Sequence, residues 1–151
     1  MKKISAGIKE IKIGRLSLKQ IWPPNGRVLG AVSDKNAEAR VLKGSFGEFD
    51  WLLTADIGEK EEKAVAARLA SESRQVEVLK VAHHGSKYSS GQEFLARVKP
   101  VLAVISVGKN HFGHPTKEVL DRLQQIGAKI LRTDQDGEIV IVSDGKKWYV
   151  E

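Results

Sequence analysis

Apolar segments and polar loops alternate along the chain from residue 46 to residue 131, and this alternation predicts strands separated by helices. Four apolar segments have the length and composition of buried strands: residues 46–54, 76–82, 101–107 and 129–131. The intervals carry helical patterns at residues 59–71, at residues 92–98 and in a segment that Thr116 caps and Gly127 ends. Strands and helices in alternation are typical of a largely parallel sheet with right-handed crossovers.

Weaker patterns flank this central region on both sides. Short extended segments are predicted at residues 10–13 and 16–21, and residues 38–42 alternate between polar and apolar positions. At the carboxyl end, residues 139–142 and 148–150 predict a hairpin with Asp144-Gly145 at its turn. We therefore expect one α/β domain over residues 1–151.

Composition restricts the chemistry more than the fold. The chain has 151 residues, 41% of them apolar and 29% charged, and it contains no cysteine, which excludes a disulfide framework and a thiolate nucleophile. A net charge of +6 permits attraction to nucleic acid, although a solvated basic surface explains it equally well. No apolar run of about 18 residues occurs, so we expect a soluble chain without a membrane span, whose localisation the sequence leaves unknown.

Side chains that can carry chemistry follow the predicted strands at the points where the strands end. All four histidines, His83, His84, His111 and His114, lie in two short loops directly after apolar segments, and Asp56 follows a third. Loops at the carboxyl ends of parallel strands meet at one edge of the sheet, so these residues should share one rim. Histidine is the commonest metal ligand and an acid or base near neutral pH. The rim is therefore a candidate metal-assisted or phosphate-handling site.

Each of these residues also has an ordinary structural explanation. Asp56 precedes a helix and could satisfy its free amide groups, and Ser86 could be a loop residue rather than a donor to substrate. Lys109 and Asn110 could hydrogen-bond a phosphate or a carbonyl, yet a loop lysine is commonly just solvated. The clustering of four histidines favours the functional interpretation.

Four segments of the chain occur together in a characteristic order. They are Leu52-Leu53-Thr54-Ala55-Asp56-Ile57-Gly58, Leu79-Lys80-Val81-Ala82-His83-His84-Gly85-Ser86, Ser106-Val107-Gly108-Lys109-Asn110-His111-Phe112-Gly113-His114-Pro115 and Arg132-Thr133-Asp134-Gln135-Asp136-Gly137. Together they resemble the carboxyl-terminal metallo-β-lactamase-like domain of the ComEC family of DNA-uptake competence proteins, over residues 51–143. The resemblance implies an αββα sandwich with a metal centre between two sheets, and a nuclease role on incoming DNA. This chain would form half of it, a mixed sheet with helices on one face.

The resemblance also implies roles for individual residues. Asp56 corresponds to an aspartate that bridges two metal ions and His84 to the last metal-binding histidine. His83 would be a catalytic residue outside the ligand set, either next to a metal ligand or in contact with phosphate. Because strand alternation lets only one of the pair face the site, spacing alone leaves open which of them is the ligand. His111 and His114 would contact the scissile phosphate or the leaving group. From their side-chain donors and their positions beside the histidines, Ser86, Lys109 and Asn110 are the candidate substrate-binding residues.

Two departures from the family pattern change the expected activity. No histidine precedes His83, so the His-x-His-x-Asp-His segment that carries the main metal ligands is absent, and Ala55 replaces a glycine. Catalytic zinc generally needs three protein ligands, so we expect the isolated chain to be inactive. Zinc or manganese and DNA would bind to the complete domain, with the missing amino-terminal half or a second copy as partner. The alternative is a non-catalytic module that binds nucleic acid or a partner and has lost metal chemistry.

Overall fold

The structure, a computed structural model, describes residues 10–24, 39–71 and 75–151. A seven-stranded sheet is its main element, and the strands follow one another across it in chain order. They are β1 Glu10–Ile13, β2 Leu16–Trp22, β3 Val41–Phe46, β4 Phe49–Leu53, β5 Val78–Lys80, β6 Leu102–Ile105 and β7 Lys129–Arg132. Strands β1 to β4 pair antiparallel and β4 to β7 pair parallel, so the sheet is mixed.

Helices connect the parallel strands, and a separate hairpin ends the chain. The helices are α1 Glu59–Leu69, α2 Gln92–Val98, α3 Lys117–Gln125 and the single turn α4 Thr133–Asp136, and the hairpin pairs β8 Ile141–Ser143 with β9 Trp148–Val150. Among the described residues, no helix is long and apolar enough to cross a membrane.

The two faces of the sheet bury different clusters because successive strand residues point to opposite sides. On one face, Leu52 and Leu79 pack with the apolar sides of the helices, including Val65 of α1. On the other face, Phe49, Trp51 and Val78 pack with Trp148 of the hairpin. The predicted mixed sheet with helices on one face is confirmed, and it corresponds to one half of an αββα sandwich.

Two predicted strands differ from the observed ones by more than one or two residues at their ends. The apolar segment 46–54 is not one strand, because Gly47 at φ +63° and Glu48 form a two-residue turn that separates β3 from β4. The segment 76–82 keeps only the three residues of β5 and continues into a 3-10 helix, Ala82–Gly85. Of the alternating segment 38–42, residue 38 lies outside the described residues, as do residues 1–9, and the rest leads into β3.

Candidate functional site

Three loops meet at the carboxyl-terminal edge of the parallel strands and are joined by their backbones. The amide of His83, after β5, donates to the carbonyl of Ala55, after β4, over 3.0 Å. The amide of Thr116, at the end of the loop after β6, donates to the carbonyl of Gly85 over 2.9 Å. The structure therefore places Asp56, His84 and the loop that carries His114 on one rim.

The side chains of Asp56 and His84 approach each other at the rim. His84 Nδ1 lies 2.6 Å from the carbonyl oxygen of Ser106. A carbonyl only accepts, so Nδ1 carries the proton and a neutral ring presents its lone pair at Nε2. That Nε2 lies 3.8 Å from Asp56 Oδ1, and both side chains are about half exposed. Metal-binding histidines are commonly oriented by such a bond to a backbone carbonyl.

A row of three rings lies beside this pair. The His83 and His114 rings meet edge to face with centroids 5.8 Å apart, and the Phe112 ring stacks on His114 at 6.0 Å. Burial lowers the pKa of His114, and His83 and His84 lower it further through charge repulsion. His111 is exposed on the same loop, and in the described part of the chain it makes no hydrogen bond or ring contact with these side chains.

The histidine pair does not continue the strand. His83 at φ +49° and His84 at φ +54° both occupy the left-handed region, inside the 3-10 helix, and Ala55 opposite them has φ +48°. The premise that strand alternation lets only one of the pair face the site is therefore wrong. His84 approaches Asp56 while His83 approaches His114, so both side chains reach the rim. Left-handed backbone at residues other than glycine concentrates at functional sites.

Gly85 allows the two histidine loops to touch. Its φ is +82°, and a Cβ atom built on it would lie 2.6 Å from Cβ and 3.0 Å from Cα of Pro115. Real Cβ atoms essentially never come within 3.0 Å of another such atom, and the φ value also favours glycine. The conformation around Gly85 thus positions His84 and His114 together.

The side-chain amide of Asn110 organises the loop after β6. Its Nδ2 donates to the carbonyls of Gly108 at 2.9 Å and His114 at 2.8 Å. Its Oδ1 accepts from the amides of Phe112 at 3.0 Å and His114 at 3.1 Å. These four bonds hold the loop in one shape, and a contact of Asn110 with substrate stays a prediction.

The other two predicted substrate-binding residues lie in contrasting surroundings. Ser86 is buried, its Oγ accepts from the amide of Tyr88 at 3.4 Å, and its carbonyl accepts from the hydroxyl of Ser89 at 2.9 Å. Lys109 is exposed on the loop braced by Asn110. Their contacts with substrate also stay predictions.

Lys80 is a charged neighbour of the site that the sequence interpretation missed. Lys80 is the last residue of β5, and its Nζ lies 3.5 Å from the carbonyl oxygen of Ala55. Burial lowers the pKa of Lys80, while the negative charge of Asp56 acts in the opposite direction. A lysine within an otherwise apolar strand segment was the signal available in the sequence.

Two further residues that the sequence interpretation missed fix the loop that follows the histidine pair. Buried Glu62 of α1 accepts from the amides of Ser90 at 2.5 Å and Gly91 at 2.9 Å. Arg122 of α3 donates to the carbonyls of Lys87 at 3.2 Å and Ser89 at 3.0 Å. The position of Glu62, three residues before Val65 on the buried side of the helix, was a usable sequence signal.

The donors at the rim fit part of a metal site. An imidazole nitrogen and a carboxylate oxygen are ligands that both zinc and manganese accept. Within residues 10–24, 39–71 and 75–151, however, no three side chains of His, Asp or Glu are arranged to hold an ion. Since a catalytic ion generally takes three protein ligands, Asp56 and His84 supply an incomplete set.

Comparison with known proteins gives three relatives, and no family model matches the chain. ComE operon protein 3 of Bacillus subtilis (strain 168) is 41% identical over 111 residues, 71% of this chain and 14% of the relative. Competence protein ComA of Neisseria gonorrhoeae is 36% identical over 107 residues, 70% of this chain and 15% of the relative. Recombination protein 2 of Haemophilus influenzae is 32% identical over 121 residues, 80% of this chain and 14% of the relative. The chain thus spans about one seventh of the length of these relatives.

Proposed function

Because the chain belongs to the ComEC family of competence proteins, we propose that it supplies one part of a metal-dependent site that hydrolyses phosphodiester bonds of DNA. The observation that carries the proposal is the placement of His84 Nε2 3.8 Å from Asp56 Oδ1, with Nδ1 engaged by the Ser106 carbonyl. That carbonyl fixes the tautomer that a metal ligand needs, before any ion is present.

Some residues of the rim hold the metal ion, and others contact the substrate. Asp56 and His84 hold a divalent ion, zinc or manganese, which when bound supplies positive charge to a phosphate oxygen and acidifies a water molecule. His114 is shifted toward its neutral form by burial and its histidine neighbours, so its ring hydrogen-bonds the leaving group without adding charge. His83 positions the His114 ring, and His111 reaches the substrate from the exposed part of the loop.

The remaining ligands come from another polypeptide segment. Among the described residues, no third His, Asp or Glu side chain is arranged to hold an ion together with Asp56 and His84. On the sheet face opposite the helices, a groove of about 370 Å³ is lined by Phe49, Trp51, Val78, Lys80 and Val104 among others. We propose that the amino-terminal half of the αββα sandwich covers this apolar face and completes the metal site.

A second candidate function is a nucleic-acid-binding module without metal chemistry. The incomplete ligand set favours it, and so does the exposed Phe112 ring beside the histidines. This candidate predicts that Asp56 and His84 are dispensable for every activity of the complete protein.

Hydrolysis of labelled single-stranded and double-stranded DNA distinguishes the two candidates. The chain would be assayed with zinc or manganese, alone and mixed with the remaining segments of its Bacillus subtilis relative, and metal content would be measured in each sample. We expect no hydrolysis by the chain alone and metal-dependent hydrolysis by the mixture. Asp56→Ala or His84→Ala should abolish hydrolysis and lower the bound metal, because each removes a ligand.

The matched control is Asp121→Ala, which removes a carboxylate of α3 whose partner is Lys117 on the same helix. It should leave hydrolysis unchanged. Full activity of the mixture with Asp56→Ala and His84→Ala would contradict the proposal and favour the binding module. If the chain associates with itself and is active alone, a second copy of the chain supplies the remaining ligands in place of the amino-terminal half.

A further inference from the structure

Phe112 is the most exposed large apolar side chain of the described residues. Its ring is 82% exposed at the tip of the loop after β6, two residues before His114. On an unrestrained loop, an apolar ring would tend to pack against the protein surface instead of staying exposed. This ring instead stacks on His114 at 6.0 Å with an interplanar angle of 28° and leaves its outer face open.

The loop that carries the ring is held in place before any ligand arrives. The Phe112 amide donates to Asn110 Oδ1, and Asn110 Nδ2 donates to the carbonyls on either side of the loop, at Gly108 and His114. A ring presented by a fixed loop loses little conformational freedom on binding a flat partner. The bonds of Asn110 thus make Phe112 a preorganised stacking surface.

The surroundings of the ring match the requirements of a single strand of nucleic acid. Proteins that bind single strands combine aromatic rings for the bases with positive charge for the phosphates. Lys109 is exposed three residues before Phe112, and Lys87 lies over the exposed ring of Tyr88, 5.1 Å from its centroid, on the loop after the histidine pair. The net charge of +6 has the same sign.

The geometry points to an unpaired base stacked on Phe112, so that the site takes single-stranded rather than double-stranded DNA. This inference rests on the proposed function, because it assigns the substrate form of the same rim. In a duplex both faces of each base are already stacked, and an outward-facing ring on a rigid loop has no free base to meet. The ring directs the strand so that a phosphate next to the stacked base lies over His114.

Binding measured in the presence of a chelator tests the inference separately from hydrolysis. A fluorescently labelled single strand of 16 thymidine nucleotides, and the duplex that it forms with its complement, would each be titrated with the chain, and binding would be followed by fluorescence anisotropy. Phe112→Ala should weaken binding of the single strand roughly 5- to 100-fold, the range that one base on an aromatic ring contributes, and leave duplex binding within about twofold. Phe112→Trp should restore the affinity for the single strand.

Tyr149→Ala is the matched control, because it removes another exposed ring, 58% exposed on β9, from the hairpin on the other face of the sheet. It should bind like the unaltered chain. A single strand with 2-aminopurine in place of one base reports the stacking itself: its fluorescence should be quenched by the unaltered chain and not by Phe112→Ala. Matching thermal unfolding curves would show that each variant is folded.

The outcomes separate the inference from the proposed function. Equal weakening of single strand and duplex by Phe112→Ala, or no effect on either, overturns the stacking inference and leaves the metal site untouched. Binding without hydrolysis in the completed protein contradicts the proposed function alone. Failure of the unaltered chain to bind either oligonucleotide contradicts the inference.

Discussion

The contact between Gly85 and Pro115 decides whether the histidine loops meet. Gly85→Ala places a methyl group 2.6 Å from Pro115 Cβ and forces a side chain into a φ of +82°. We expect the free energy of unfolding to fall by about 2 kcal/mol or more, from the strained backbone and the steric overlap together. Chemical denaturation measures the loss.

Gly108→Ala is the control for this substitution, because nothing lies within 4 Å of a Cβ at Gly108 and its φ is not in the left-handed region. It should change the unfolding free energy by about 0.5 kcal/mol or less. Equal losses for Gly85→Ala and Gly108→Ala would show that the close approach at Pro115 is not what stabilises the rim.

Ala55 provides a second test at the residue scale. It adopts φ +48°, where a Cβ meets the following carbonyl oxygen. Ala55→Gly should raise the unfolding free energy by up to about 1 kcal/mol, because relief of this strain outweighs the added freedom of the unfolded chain. Ala96→Gly, in the middle of α2, should lower it by about 1 kcal/mol. A lower unfolding free energy for Ala55→Gly would contradict the strained conformation.

At the scale of elements, hydrophobic periodicity predicted most of the helices and strands but few of their connections. The pattern at residues 92–98 predicted α2 because its buried positions repeat at helical spacing. Residues 10–13 predicted β1 through their alternation of polar and apolar residues, although β1 is mostly exposed. The turn at Gly47 was missed because Phe46 and Phe49 lie directly on either side of it and extend the apolar pattern across the turn. The 3-10 helix at the histidine pair was missed because its left-handed backbone is fixed by contacts with Ala55 and Pro115, which are distant in sequence.

For the candidate site, the sequence predicted which residues lie together but not how their side chains are oriented. Strand ends predicted that Asp56 and the histidines share a rim, since topology alone brings these positions together. The resemblance pointed to His84 rather than His83, while spacing alone left the choice open; the structure places His84 Nε2 3.8 Å from Asp56 Oδ1 and bonds its Nδ1 to the Ser106 carbonyl. Lys80 was missed because it is a single charged residue in an apolar strand segment. Glu62 was missed because it lies in a run of charged residues, 59–63, which is typical of a solvated helix face.

The contact between α1 and α2 makes stability depend on pH. Burial raises the pKa of Glu62 from its ordinary value of 4.5 to about 7, against the opposing effect of the amides of Gly91 and Ser90. The folded state therefore binds the proton more tightly than the unfolded state, so the contribution is complete below pH 4.5 and is lost as pH rises through 7. The shift corresponds to about 3 kcal/mol between these limits.

Unfolding free energies measured between pH 4.5 and pH 8 check this dependence. Glu62→Gln should flatten the decline, because the side-chain amide resembles the protonated carboxyl group and carries no titrating proton. Glu138→Gln, at an exposed position, should keep the decline of the unaltered chain. A decline that persists in Glu62→Gln would assign it to another group.

At the scale of the whole molecule, the two faces of the sheet are covered to different extents. The helices cover the first, while the hairpin of β8 and β9 covers only part of the second and leaves the groove beside Trp51 and Val104. At the same edge of the sheet, no third His, Asp or Glu of the described residues joins Asp56 and His84. A chain that spans about one seventh of its relatives would then gain both its second layer and its remaining ligands from one further segment.

The central claim is that Asp56 and His84 are ligands of one ion, and zinc titration followed by nitrogen NMR of the histidine rings tests it most directly. We predict that zinc shifts the Nε2 resonance of His84 while its Nδ1 stays protonated against the Ser106 carbonyl. Asp56→Ala should weaken the response roughly tenfold or more, because it removes the carboxylate 3.8 Å away. Zinc that leaves His84 unshifted, or that shifts it equally without Asp56, would contradict the claim.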